Sequence, residues 1–176
     1  MINPFAFQTL EDHPKRQLIR ASKYVSETHN SEPIPLDRAP KSRSNKIRVG
    51  YFSADFRDHA VSHQISKVLA LHDRSKIEVY AYSFGQADDD MRKRIIGAVD
   101  HFKDVTDMSD KDVALLARED KIDIAIDLMG YTRGSRANIF ALRAAPIQIY
   151  LFGGTTGASY IDYILSLIHI SEPTRL

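Results

Sequence analysis

The chain has 176 residues, of which 43% are hydrophobic and 27% charged, and its formal net charge at pH 7 is +1. This size and composition suit one globular domain with its own hydrophobic core. The near-neutral charge gives no electrostatic reason to expect nucleic acid or an anionic membrane as a partner. The sequence contains no cysteine, which excludes disulfides and thiolate chemistry and is compatible with a reducing cytoplasm. No apolar run approaches the roughly 20 residues that span a bilayer, and the first residues do not resemble a signal peptide, so we expect a cytoplasmic location.

The first 45 residues predict a helix followed by a linker. Apolar residues recur at helical spacing over Pro14 to Thr28. The following stretch, SEPIPLDRAPKSRSNK, holds three of the seven prolines and many polar residues. We therefore place the start of a compact domain near Lys46, with residues 1–45 as a leading segment.

From Lys46 onward, short apolar runs alternate with helical patterns. Strands are predicted at Ile47 to Ser53, Ile77 to Phe84, His101 to Val105, Ile122 to Leu128 and Ile147 to Leu151; helices are predicted at Ser62 to His72, Asp89 to Val99, Ser109 to Asp120 and Arg136 to Leu142. In the helix that starts near Ser62, we expect four apolar side chains to face inward: Ile65, Val68, Leu69 and Leu71. Strands separated by helices of this length predict an α/β fold, a Rossmann-like parallel sheet with helices on both faces.

The last residues have an unusual pattern. The stretch LSLIHISEPTR is what a sequencing-library transposon adapter encodes when it is translated in frame. We therefore expect residues 165–176 to be a non-native tail, residues 46–164 to be the domain, and the chain to be part of a larger protein.

Three loops that follow predicted strands carry residues able to bind or react. They are Ser53 to His63, Met129 to Gly134, and Phe152 to Gly157. Because ligands of open α/β sheets bind beyond the carboxyl ends of the strands, all three loops are expected at one edge. The dinucleotide fingerprint G-x-G-x-x-G and the Walker A loop are both absent, so neither NAD nor ATP binding is predicted.

Asp55 and His59 occupy one strand-to-helix loop, where a carboxylate and an imidazole can reach the same ligand. Such a pair suits acid–base catalysis or hydrogen bonds to a sugar or phosphate oxygen. The spacing Asp55-x3-His59-x3-His63 also leaves a metal-dependent hydrolase open, although no further ligand motif accompanies it. A non-catalytic Rossmann-like binding module is the other alternative.

Four strings together resemble one enzyme family. These are RVGYFSADFRDHAVSH, DHFKDV, IDLMGYTRGSRANIFALRAAPIQIYL and GTTGASYIDYI, which begin at Arg48, Asp100, Ile126 and Gly154. In order and spacing they resemble the first catalytic lobe of the O-GlcNAc transferase/SPINDLY-like glycosyltransferases. The leading segment is similar to the helix that joins tetratricopeptide repeats to this lobe in bacterial members.

The resemblance implies the first half of a two-lobed GT-B glycosyltransferase. Such an enzyme transfers a sugar, most often GlcNAc from UDP-GlcNAc, to Ser or Thr hydroxyls of proteins, with inversion and without a metal or other cofactor. It also implies that a second lobe supplies most nucleotide contacts, so that the fragment alone is inactive. By position, Asp55 and His59 are the implied catalytic residues. The implied substrate-binding residues are His63, Tyr131, Arg133, Leu151, Gly153, Gly154, Thr155 and Thr156.

Two departures from the family pattern bear on donor choice. The donor-facing turn usually reads L-G-[YF]-P-G-T-[ST]-G, whereas this chain has the shorter Leu151-Phe152-Gly153-Gly154-Thr155-Thr156-Gly157 without the proline. Many members have Pro-Thr after the motif histidine, where this chain has Ala60-Val61. The Thr hydroxyl, a possible hydrogen bond to the donor, is therefore missing.

Overall fold

The computed structural model of the chain describes residues 3–7, 10, 13–29, 31–35 and 45–165. Its helices are a short 3-10 turn at Pro4–Phe7, then α1 (Pro14–Thr28), α2 (Ala60–Leu71), α3 (Asp90–Gly97), α4 (Asp110–Glu119) and α5 (Asn138–Ala141). Its strands are β1 (Ile47–Ser53), β2 (Ile77–Ser83), β3 (His101–Asp104), β4 (Ile124–Asp127), β5 (Ile147–Leu151) and β6 (Tyr163–Leu165). The expected tail beyond Leu165 lies outside the described residues.

The strands form one parallel sheet in the order β3-β2-β1-β4-β5-β6. This is the strand order of a Rossmann-like α/β domain, and it confirms the predicted fold class. The direction in which strands are added reverses between β1 and β4. At such a switch point the loops that follow the two strands part and leave a crevice at the carboxyl edge.

The sheet is buried on both faces, as a parallel sheet requires. One face packs Phe52 and Tyr82 against α4 and α5, with the two rings stacked at 4.5 Å between centroids. The other face packs Tyr51, Ile65 and residues of α3 around Phe56. Burial of large side chains on both sides makes the sheet a rigid platform for the loops at its edge.

Helix α2 buries a narrower stripe than its sequence predicts. Ile65 and Leu69 are fully buried, but Val68 is 46% and Leu71 81% exposed. Residues four apart lie on one helical face, so Ile65 and Leu69 share the inward side. The positions of Val68 and Leu71 turn toward the flank, and the expectation that they face inward was wrong.

Helix α1 packs across the carboxyl edge of the sheet. Its buried residues Ala21 and Val25 lie against the loops that follow β4 and β5, where Val25 clusters with Tyr131 and Ala158. Gly157 has a φ of +61°, and a Cβ added there would lie 2.3 Å from the backbone nitrogen of Ser22. The leading helix is thus part of the packed domain, and only a glycine permits this approach.

The strand β6 was not predicted. It pairs with β5 through Tyr163 to Leu165, and the N–H of Phe152 donates to the carbonyl of Leu165. The described sheet therefore extends one residue past the boundary at 164 that the sequence suggested.

In the part of the chain that the structure describes, no helix combines the length and apolar character needed to cross a membrane.

Candidate functional site

Three loops converge at the carboxyl edge of the sheet, as the sequence predicts. They follow β1, β4 and β5, which are parallel neighbours and end at Ser53, Asp127 and Leu151. The first two loops flank the switch point between β1 and β4. The residues predicted for the site are therefore brought to one edge by topology, although they lie about a hundred positions apart in the chain.

Asp55 is held in place from both sides. Its backbone N–H donates to the Ser53 hydroxyl at 2.9 Å, and its carbonyl accepts from the Ser62 hydroxyl at 2.6 Å. Arg57 donates to Oδ1 of the carboxylate at 3.0 Å. The residue is only 8% exposed, so its carboxylate has a fixed position, and Oδ2 is the oxygen that Arg57 does not occupy.

His59 is the N-cap residue of α2. Its Nδ1 accepts a hydrogen bond from the N–H of Val61 at 3.3 Å, and Oδ2 of Asp55 lies 3.5 Å from the same nitrogen. A nitrogen that accepts from a backbone N–H carries no proton, so the neutral ring holds its proton on Nε2. The side chain is 37% exposed. His59 can therefore offer an N–H donor to a ligand oxygen at the start of a helix, a position that favours negative charge.

His63 points away from this pair. Its Nε2 contacts Oδ1 of Asp58 at 2.7 Å, and the backbone N–H of Asp58 donates to Asp89, the N-cap of α3. The three side chains of the alternative metal site are thus not gathered around one point. Among the described residues, no group of three or more His, Asp or Glu side chains is placed to hold a metal ion.

The loop after β4 is organised by Asp127. This carboxylate is 5% exposed and accepts from the N–H groups of Met129 and Gly130 at 2.8 and 3.1 Å. Burial raises the pKa of Asp127 to about 6, and the two N–H groups counteract only part of that rise. Gly130 follows with a φ of +55°, a left-handed conformation that favours glycine.

Tyr131 joins this loop to the next one. Its hydroxyl donates to the carbonyl of Thr156 at 2.7 Å in a buried contact, and burial raises the pKa of the phenol. Arg133, in contrast, is exposed, and its guanidinium makes no ion pair with any described residue. Tyr131 therefore has a structural role at the edge, while Arg133 is a cation available to a ligand.

The glycine-rich turn after β5 starts at Leu151 and is half-buried up to Thr155. Phe152 has a φ of +77°, and the hydroxyl groups of Thr155 and Thr156 accept from the N–H groups of Gly157 and Ala158. These hydrogen bonds hold the turn closed on itself. Gly153 and Gly154 leave this turn without side chains at two successive positions.

Two residues of this edge were missed by sequence reasoning. Asp127 is a carboxylate at the end of an otherwise apolar strand, a polarity break that could have singled it out. Tyr150 gave no such signal, because an aromatic residue in a strand is ordinary. Its phenol lies under the two glycine turns: a Cβ added to Gly130 or Gly153 would come within 2.6 or 1.9 Å of the Tyr150 hydroxyl.

The arrangement can bind a polar, oxygen-rich ligand and move a proton. It offers a fixed carboxylate, an imidazole N–H and exposed backbone. In the described part of the chain, Arg57 is committed to Asp55 and Arg133 is the exposed cation of these loops. One such charge does not balance a diphosphate, so this edge suits neutral hydroxyl groups better than phosphates.

Comparisons with known proteins point to one enzyme family. The family model described as glycosyl transferase family 41 matches residues 23–176. The Caenorhabditis elegans UDP-N-acetylglucosamine–peptide N-acetylglucosaminyltransferase is 36% identical over 147 residues, which are 81% of this chain and 13% of that protein. An Arabidopsis thaliana relative, named "Probable UDP-N-acetylglucosamine--peptide N-acetylglucosaminyltransferase SEC", is 44% identical over 139 residues, 77% of this chain and 14% of that protein.

A solved structure is similar as well. A mutant of the Thermobaculum terrenum O-GlcNAc transferase superposes with a TM-score of 0.79 at 30% identity, covering 86% of this chain and 30% of that chain. The chain spans about one-seventh of the length of the two curated relatives named in the preceding paragraph. Because the family model covers most of its residues, the chain belongs to glycosyltransferase family 41.

Proposed function

We propose that the chain forms the first lobe of a protein O-glycosyltransferase that transfers GlcNAc from UDP-GlcNAc to Ser or Thr hydroxyls, with inversion at the anomeric carbon and without a metal. The observation that carries the proposal is family membership together with the loop at the switch point, which places Oδ2 of Asp55 3.5 Å from Nδ1 of His59. The transferases named above act, by their names, on UDP-N-acetylglucosamine and peptides.

The proposed roles follow from the hydrogen bonds of each residue. In the transfer, the acceptor oxygen forms a bond to the anomeric carbon, the bond to the diphosphate oxygen breaks, and the hydroxyl proton must leave. His59, with Nδ1 used as the helix cap, serves as an Nε2–H donor that orients a substrate oxygen. Asp55, with Oδ1 held by Arg57, accepts the proton on Oδ2 through a water molecule.

A second lobe completes this site. The described edge lacks the cluster of cations that a leaving diphosphate needs in the absence of a metal, and a helix N-terminus with basic side chains in the other lobe would supply it. The 176-residue chain alone is therefore expected to show no turnover. Acceptor proteins and upstream tetratricopeptide repeats are the further partners of this proposal, and the cytoplasm is its proposed location, consistent with a chain that contains no cysteine.

A chimaera tests the proposal directly. Residues 13–165, which include helix α1 and strand β6, would replace the matching segment of the Thermobaculum terrenum enzyme, and UDP release would be measured with UDP-GlcNAc and an acceptor peptide. Turnover that survives EDTA supports the proposal. We expect Asp55→Asn and His59→Ala each to lower kcat by about 100-fold or more, the usual range for a lost acid–base or orienting group.

The matched control is His101→Gln. His101 is an exposed histidine on β3, at the far end of the sheet from the crevice, so its loss should leave turnover unchanged. A folded chimaera without turnover would favour a non-catalytic binding module. Activity that requires added zinc and disappears with His63→Ala would favour the hydrolase alternative instead.

A further inference from the structure

Two serines, Ser53 and Ser62, hold the backbone of Asp55 and not its carboxylate. Both serines are fully buried. The N–H of Asp55 donates to the Ser53 hydroxyl at 2.9 Å, and the Ser62 hydroxyl donates to the Asp55 carbonyl at 2.6 Å. Burying a hydroxyl costs free energy that such a hydrogen bond offsets. The peptide groups on both sides of the Asp55 Cα atom are therefore anchored from within the core.

The bond from Ser62 spans seven positions and closes the loop between β1 and α2. Ser62 is the third residue of α2 and follows the N-cap His59 by three positions. The bond thus ties the Asp55 carbonyl to the helical turn that carries His59. Oδ2 of Asp55 lies 3.5 Å from Nδ1 of His59. Ser62 therefore links the two residues of the proposed catalytic pair through the backbone.

The end of β1, in contrast, is held by the neighbouring strands. The N–H of Phe84 donates to the carbonyl of Ser53 at 3.1 Å, and the Ser53 hydroxyl donates to the Met129 sulfur at 3.4 Å. A Cβ added to Gly85 would lie 1.9 Å from the carbonyl oxygen of Ala54, so these two segments are in close contact. Loss of the Ser53 hydroxyl would disturb several of these contacts. Ser62 is the serine whose effect on Asp55 can be isolated.

We propose that Ser62 is a positioning residue for the transfer reaction: its buried hydroxyl fixes the Asp55 carboxylate where that group accepts the acceptor proton. This inference rests on the proposed function for the role of Asp55. Catalysis depends steeply on such placement, since a shift of about 1 Å can lower a rate by about 100-fold. Ser62 acts only through Asp55, because its hydroxyl is buried and has the Asp55 carbonyl as its acceptor.

The first measurement compares Ser62→Ala with the parent chimaera. The variant should fold, because the Asp55 carbonyl still accepts from the N–H of Arg57 at 2.8 Å and is not left unpaired. We expect kcat to fall by about tenfold and the KM for UDP-GlcNAc to stay unchanged, since one of two backbone anchors is lost and no substrate contact is removed. An unchanged kcat would overturn the proposal.

A double-mutant cycle separates positioning from a general structural role. Asp55→Asn keeps the backbone that Ser62 holds but removes the carboxylate. If Ser62 acts through that carboxylate, adding Ser62→Ala to Asp55→Asn should lower kcat by less than about twofold. The same tenfold loss in both backgrounds would show that Ser62 merely supports the fold, and would overturn the proposal.

Two further variants complete the design. Ser66→Ala is the matched control: Ser66 is a buried serine one turn further along α2, and its hydroxyl faces the carbonyl of His63 at 3.5 Å, so kcat should not change. Ser62→Cys fills nearly the same space and keeps only a weak S–H donor. If Ser62→Ala does not fold, the cycle is run with Ser62→Cys, which should give the same loss of kcat beside Asp55 and none beside Asp55→Asn.

Failure of the proposed function appears without any serine variant. A folded parent chimaera without turnover, or one whose kcat Asp55→Asn leaves unchanged, contradicts the role of Asp55 and this inference with it. Equal losses from Ser62→Ala in the two backgrounds contradict the positioning role alone and leave the transferase function standing.

Discussion

Asp127 should make the chain more stable as the pH falls from neutral. Its carboxyl is buried, and its pKa rises from the ordinary 3.8 to about 6 in the folded chain. The folded state therefore binds the proton more tightly than the unfolded state does. A shift of this size lowers the unfolding free energy by about 3 kcal/mol above about pH 7. This loss of stability shrinks as the pH falls through the pKa of the folded state and disappears below the pKa of the unfolded state.

The perturbation is Asp127→Asn, which keeps an oxygen acceptor for the N–H groups of Met129 and Gly130 but removes the titration. Applying the linkage relation to the two pKa values, this group alone makes the wild type about 1.4 kcal/mol more stable at about pH 5 than at about pH 7.5. The variant lacks this contribution. The difference in unfolding free energy between wild type and variant should therefore move by that amount, in favour of the wild type, on acidification.

The assay is urea denaturation of both proteins at the two pH values, with equal slopes required before the midpoints are compared. Other carboxyls have pKa values below their ordinary range, Glu78 and Asp104 among them, and they lose stability in acid in both proteins alike. Asp107→Asn, at an exposed position, controls for the loss of a charge. A wild-type-to-variant difference that is the same at both pH values, or that moves the other way, would refute the buried, proton-binding description of Asp127.

Two further predictions concern glycine conformation and helix capping. Gly157→Ala should lower the unfolding free energy by about 2 kcal/mol or more, because φ is +61° and the new Cβ would meet the backbone of Ser22. Gly97→Ala is the control, since a Cβ there has nothing within 4 Å, and it should stabilise α3 by up to about 1 kcal/mol. Equal effects of the two variants in urea denaturation would contradict this account of α1 docking. Ser109→Ala should lower the unfolding free energy by about 1 kcal/mol, since the Ser109 hydroxyl accepts from the N–H of Asp112 at the start of α4. If the loss is no larger than that of Ser159→Ala, at an exposed position, the cap contributes little to stability.

Local periodicity was enough to predict most of the elements. Each of the first five strands ends within one residue of its predicted position, although β4 begins two residues later than predicted, and α1 runs over the predicted range. The alternation of these elements determines a parallel sheet, because short crossover helices allow little else. The largest omission was strand β6, and the start of α2 was also misplaced, since the helix begins at Ala60 with His59 as its cap and not at Ser62. Histidine is not a usual cap residue, so composition gave no signal there.

The loops of the site could also be located from the sequence, since the carboxyl ends of parallel strands share one edge. Their internal contacts could not. His63 contacts Asp58, and Asp55 lies beside His59. Which of these side chains meet depends on the directions in which they point, and a spacing of four residues does not determine those directions.

The sequence by itself determined the family, the sheet and the edge at which Asp55, His59 and the glycine turns gather, because these depend on local patterns and on short motifs. Tertiary structure alone decided which groups touch across that edge. The buried state of Asp127, the hydroxyl of Tyr150 under Gly130 and Gly153, and the docking of α1 on Gly157 all arise between segments that are distant in the chain. Such contacts depend on how the packed layers fit together, and no local pattern carries that information.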